Sequence, residues 1–126
     1  NIVILVVEDE APMRLLITKK LQMMGFKNII DADDGKTALQ RLQRGDVGLI
    51  LADLVMPDMS GLDLFKEVRQ HKEYQNIPFL VITAYNDEVS VAQAVQAGVD
   101  GFIVKPFTSG ILRAKIEGAL NRVKDG

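Results

Sequence analysis

The chain has 126 residues, 48% of them hydrophobic, a length at which one well-filled core is expected, and it reads as a single domain spanning 1–126. Its formal net charge of −2 offers no basic footprint for a phosphate backbone, so direct nucleic-acid binding is set aside and proteins or small ligands are expected as partners. With no cysteine there is no disulfide framework and no thiolate metal site, and no apolar run approaches the roughly 18–20 residues that cross a bilayer; a soluble, cytoplasmic chain without membrane insertion is expected.

In chain order, residues 2–7 form a continuous apolar run rich in β-branched side chains, as expected for a strand covered on both faces, and it stops at Glu8 and Asp9. Pro12 suits the first turn of a helix whose apolar positions, Met13, Leu16, Ile17, Leu21 and Met24, recur at helical spacing and which Gly25 should end. A weaker run over 28–32 soon turns acidic and suits an edge strand; Asp31, Asp33 and Asp34 read as loop or helix-capping acids. Residues 47–52 give a third buried strand with Asp53 at its end. Pro57 to Gly61 should then turn the chain into a helix that Ser60 and Asp63 start as a capping box. His71, between Gln70 and Lys72, reads as part of a solvated helix face. Residues 79–83 and 102–104 are the fourth and fifth strands, Gly98 should stop the helix between them, and Leu112, Ile116, Ala119, Leu120 and Val123 mark the apolar face of a last helix.

Strand and helix alternate five times, which predicts an α/β, doubly wound domain with a parallel sheet. Ligands in such sheets bind outside the carboxyl ends of the strands. Glu8 and Asp9 follow the first strand, Asp53 the third, Thr83 ends the fourth and Lys105 follows the fifth, so all five are expected on one rim. Crowded carboxylates repel unless a cation sits among them, and oxygen donors without histidine or cysteine favour Mg²⁺. Asp9 and Asp53 are the expected direct ligands, with Glu8 acting through water. Mg²⁺ with Lys105 would draw a phosphoryl group, Asp53 could attack phosphorus to form an aspartyl phosphate, and Thr83 could hydrogen-bond the phosphoryl oxygen.

These residues resemble the receiver domain of two-component response regulators, in "ILVVEDE", "ADLVMPDMSG", "VITA" and "VKPF" and over essentially the whole chain. The resemblance implies a (βα)5 flavodoxin-like sandwich with five strands in order 2-1-3-4-5. It also implies phosphorylation of Asp53 by a histidine kinase, and Mg²⁺ held by Asp9, Asp53 and the main-chain carbonyl of Val55. Thr83 and Phe102 would form the switch, Lys105–Pro106 would be a cis peptide, and the fourth helix, fifth strand and fifth helix, roughly residues 87–123, would meet a downstream protein. Val55 and Tyr85 match positions that govern water's access to the acyl phosphate; an apolar Val55 cannot orient that water and Tyr85 can shield the site, so slow self-dephosphorylation is expected.

"PMR", "GF" and "AGVDGFIVKPFT" are similar to single-domain chemotaxis regulators within the family, while a receiver cut from a longer regulator with an output domain stays open. The expected protein is a switch that catalyses only its own phosphorylation and dephosphorylation, not a turnover enzyme. A Mg²⁺-dependent aspartyl-phosphate hydrolase would place a second aspartate where Val55 stands. A nucleotide or flavin module would need a glycine-rich cradle where "VVEDEAPM" offers acids. A degenerate receiver serving only as a scaffold would have lost some of the site residues, and every one is present.

Overall fold

The computed structural model describes residues 2–84 and 87–125, the side chains of 123–125 excepted. The expected shielding residue Tyr85 and the side chain of Val123 therefore lie outside the described residues. Five strands, β1 (Val3–Val7), β2 (Asn28–Ala32), β3 (Val47–Asp53), β4 (Phe79–Ala84) and β5 (Gly101–Lys105), alternate with five helices, α1 (Ala11–Met23), α2 (Gly35–Leu42), α3 (Gly61–Gln70), α4 (Glu88–Ala97) and α5 (Ser109–Asp125). A short 3₁₀ turn, Lys72–Tyr74, links α3 to β4. The strands are parallel in the order β2-β1-β3-β4-β5, as the resemblance implies, with β2 on an edge.

Successive strand residues point to opposite faces, and both faces of this sheet are apolar. Val3, Leu5 and Val7 of β1 join Ala38 and Leu42 of α2, Leu64, Phe65 and Val68 of α3 and Ala94 of α4 in one core. Ile4 and Val6 join Ile17 and Leu21 of α1 and Leu112, Ile116 and Ala119 of α5 in the other. The sheet is thus wound on both sides, and polar chemistry is confined to its rim.

The helix signals read from sequence are realised locally. Asp34 accepts the Thr37 N–H at 2.7 Å, Ser60 and Asp63 form the reciprocal capping box, and Gly98 ends α4 at φ 107° in the left-handed region. Three expectations are corrected. Leu16 is 45% exposed, because the face of α1 that meets the sheet is carried by Ile17 and Leu21. His71 is not on a helix face: it is the extended residue that caps α3 and precedes the 3₁₀ turn, though its side chain is solvated as expected. Asp31 is neither loop nor cap but an exposed strand residue of β2 paired with Arg14 at 3.5 Å.

Gly61 fixes how closely α3 approaches the end of β3. A Cβ there would lie 2.5 Å from the Asp53 carbonyl oxygen and 2.9 Å from the Leu54 Cα, both backbone atoms. The Gly61 N–H instead donates to the Leu54 carbonyl at 2.9 Å, so the turn after Asp53 is stitched directly to the helix start.

Candidate functional site

Each strand delivers its terminal polar residue to the carboxyl rim. Asp53 closes β3 opposite Ile82, while Thr83 and Ala84 at the end of β4 lie opposite Val104 and Lys105. The Leu54 N–H donates to the Ile82 carbonyl at 2.8 Å, so the backbone beside Asp53 is held to β4 by the ladder. Its side chain is buried: Oδ1 accepts the Val55 N–H at 3.0 Å and Oδ2 accepts the Lys105 ammonium at 2.7 Å. The Lys105–Pro106 peptide bond is cis, as the resemblance implies.

Glu8 sits deeper than the sequence suggested. Its side chain is fully buried; Oε1 accepts the Glu10 N–H at 3.3 Å, and Oε2 has no hydrogen-bond donor among the described residues, lying 3.7 Å from the Lys105 Nζ. Burial first, then the neighbouring Asp53 carboxylate, push the Glu8 carboxyl up to about 8. Burial by itself would lower the Lys105 ammonium, but the hydrogen bond and charge of Asp53, backed by Glu8 and Glu10, outweigh it and hold the pKa above its ordinary value. Lys105 is therefore a permanent cation between two acids. Thr83 is buried, and among the described residues its hydroxyl donates a long 3.4 Å bond to the Ala84 carbonyl. That weak bond leaves it able to turn towards a new acceptor.

Carboxylate oxygens of Glu8, Asp9 and Glu10 lie within 4.8 Å of one another. Glu10 is a member that the sequence reading left out; its signal was the unbroken acidic run "EDE". An unpartnered buried carboxylate oxygen beside two further acids, all hard oxygen donors, fits a Mg²⁺ ion. The arrangement can concentrate a divalent cation and an ammonium around one buried, strand-held carboxylate.

Phe102, on β5, is half-buried, with the Lys115 Nζ 5.2 Å from its ring centroid. It lines two surface cavities. One, of about 270 Å³, is lined by Val91, Ala92 and Val104 with Asp87 and Glu88 beside them; the other, of about 340 Å³, is lined by Pro106, Ile111 and Lys115. Val55 is 63% exposed at the mouth of the site.

A family model described as the response regulator receiver domain matches residues 4–117. The chain belongs to the response regulator receiver family. Among curated proteins, this receiver is 42% identical over 123 residues to chemotaxis protein CheY-3 of Vibrio cholerae, covering 98% of this chain and 95% of that one. It is also 42% identical over 120 residues to the chemotaxis protein CheY of Pseudomonas aeruginosa, covering 95% and 97%. Among solved structures, the receiver superposes on Vibrio cholerae CheY4 with a TM-score of 0.86 at 29% identity, covering 95% of this chain and 100% of that one. It matches NtrX of Brucella abortus with a TM-score of 0.88 at 28% identity, covering 96% of this chain but 27% of NtrX. The fold is thus the CheY-like, flavodoxin-like one, and receivers of this family generally depend on Mg²⁺. Among the described residues, no helix of the receiver is long and apolar enough to cross a membrane.

Proposed function

We propose that this receiver is a phosphorylation-dependent switch of the cytoplasm whose Asp53 takes a phosphoryl group from a histidine kinase. The observation that carries the reading is the Asp53 carboxylate, buried at the sheet's rim with the Lys105 ammonium at 2.7 Å, the same ammonium lying 3.7 Å from Glu8 Oε2. A carboxylate oxygen of Asp53 attacks phosphorus, the O–P bond forming as the N–P bond to the kinase imidazole breaks and the imidazole leaves with a proton. Mg²⁺, when bound, supplies neutralising charge to the phosphoryl oxygens as charge shifts between nucleophile and leaving group. Asp9, Asp53 and the Val55 carbonyl would hold it, with Glu8 reaching it through water. Lys105 gives up part of its pairing with Asp53 to meet a phosphoryl oxygen, and the Thr83 hydroxyl exchanges its weak bond to Ala84 for another.

Thr83 moving towards the phosphoryl group vacates space behind it, and Phe102 turns inward from the two cavities it lines. The altered surface is that of α4, β5 and α5. Val89, Val95 and Ile111, exposed there, offer apolar contacts to a downstream protein. The domain is not a turnover enzyme: Val55, beside the nucleophile, has no proton to give a leaving group.

Near full-length matches to chemotaxis proteins support a chemotaxis-type regulator; the NtrX match, 27% of that chain, supports the second reading of a receiver within a longer regulator. Incubation with acetyl phosphate and Mg²⁺ should add about 80 Da, one phosphoryl group, to the wild type and nothing to Asp53→Asn. Equal labelling of both proteins would remove Asp53 from the role.

A further inference from the structure

Arg14 is the one cation of the first helical turn, and its fork is spent on two other segments. Its Nη1 donates to the Glu8 carbonyl oxygen at 2.7 Å, and its Nε lies 3.5 Å from Asp31 Oδ2 on β2. On the other side of the same residue, the Glu8 N–H donates to the Ala32 carbonyl at 3.0 Å. Both peptide groups flanking Glu8 are therefore pinned. Because the peptide unit is planar, fixing the Glu8 carbonyl also fixes the plane from which the Asp9 Cα departs. The guanidinium thereby pins the Glu8 end of the acidic loop through the backbone, without a hydrogen bond or ion pair to any carboxylate of residues 8–10.

We propose that Arg14 is a positioning residue for the divalent-cation site, holding the Glu8–Asp9 peptide so that the carboxylates of residues 8–10 converge. The inference rests on the metal reading given above. It predicts a sign opposite to that of simple electrostatics, since deleting a positive charge near an acidic cluster should by itself tighten cation binding. A lysine keeps the charge but, as a point donor, cannot reach the Glu8 carbonyl and Asp31 together as a planar fork does.

The test is calorimetric titration of Mg²⁺ into the wild-type protein, Arg14→Met and Arg14→Lys, with melting temperatures recorded in EDTA. Residues that orient metal ligands affect affinity by roughly 10- to 100-fold, so the expected result is a Mg²⁺ dissociation constant at least about tenfold weaker in Arg14→Met, with most of that loss present in Arg14→Lys. If Arg14→Met does not fold, Arg14→Lys, which retains the net charge, decides alone. A dissociation constant that is unchanged or tighter in a folded variant, even with a lowered melting temperature, overturns the assignment and leaves Arg14 a structural tie. Absence of Mg²⁺ binding by the wild type would instead overturn the metal reading and this inference with it.

Discussion

The two oxygens of the Asp53 carboxylate keep different company: Oδ1 accepts the Val55 N–H at 3.0 Å, and Oδ2 accepts the Lys105 ammonium at 2.7 Å. Both partners stabilise negative charge, and neither orients a water for attack on a phosphorylated Asp53. Val55 is exposed beside the site, so its side chain is the natural place to supply such a group. Val55→Asn adds a donor and acceptor there, and one hydrogen bond in the hydrolytic transition state shortens the aspartyl-phosphate lifetime by roughly 2- to 10-fold. Loss of the added mass with time, followed for both proteins after acetyl phosphate is removed, measures it; equal lifetimes would dissociate Val55 from water control. Which residues occupy this rim was legible, because each polar residue directly follows an apolar run. How deeply Glu8 lies was not, since the residues around its carboxyl, Lys105 and Asp53, are distant in sequence. Arg14 was equally hidden: its partners are a backbone carbonyl and a residue of the edge strand β2.

Between elements, the contact that sets the geometry of the site is α3 against the end of β3. Ser60 and Gly61 are neighbours there with separable roles. Ser60→Ala removes one side of the capping box and costs about 1 kcal/mol, while leaving the Asp53 backbone where it is. Gly61→Ala forces a Cβ against the Asp53 carbonyl and Leu54 Cα, so the helix must withdraw and Asp53 with it, at about 1–3 kcal/mol. Urea unfolding should show both losses, but only Gly61→Ala should also slow labelling by acetyl phosphate; equal labelling would mean the close approach does not position the nucleophile. The strands were readable because a sheet buried on both faces writes continuous apolar runs, and the helix starts because capping is local. Leu16 misled because helical spacing marks a stripe without saying how wide the buried part is. The tie between α3 and the turn that leads into β5 was unreadable for a different reason. Arg69 donates to Asp100 Oδ2 at 3.2 Å, and that same oxygen accepts the Phe79 N–H at 2.8 Å, joining residues 21 and 31 positions apart.

For the whole molecule, the metal reading and the buried Glu8 carboxyl together predict a stability that depends on both protons and Mg²⁺. The Glu8 carboxyl titrates at about 8 when folded against 4.5 for the free group, mainly through burial and then through Asp53. The folded chain therefore binds a proton that the unfolded chain has released, and this group's stabilisation is full below 4.5 and is lost as pH rises towards about 8. Other carboxylates titrate too, so the informative quantity is the difference between wild type and Glu8→Gln, which carries a neutral side chain at every pH. In EDTA, the melting temperature of the wild type relative to Glu8→Gln should fall as pH rises across this window. A bound divalent cation favours the ionised carboxylate and expels the proton, so Mg²⁺ should bind more tightly as pH rises, and the relative decline should flatten in its presence. At a pH near 8 and Mg²⁺ at about ten times its dissociation constant, the gain is roughly 1.4 kcal/mol, and it should shrink in Asp53→Asn, which lacks a ligand charge. Melting curves between about pH 5 and 8, with and without Mg²⁺, measure all of these together. Parallel pH profiles for wild type and Glu8→Gln in EDTA would show that Glu8 carries no buried proton, and an unshifted wild-type melting temperature in excess Mg²⁺ would show that the rim does not hold the metal. The pairing of signs separates the two ideas, because a proton and a Mg²⁺ ion competing for one cluster must oppose each other along the same pH axis.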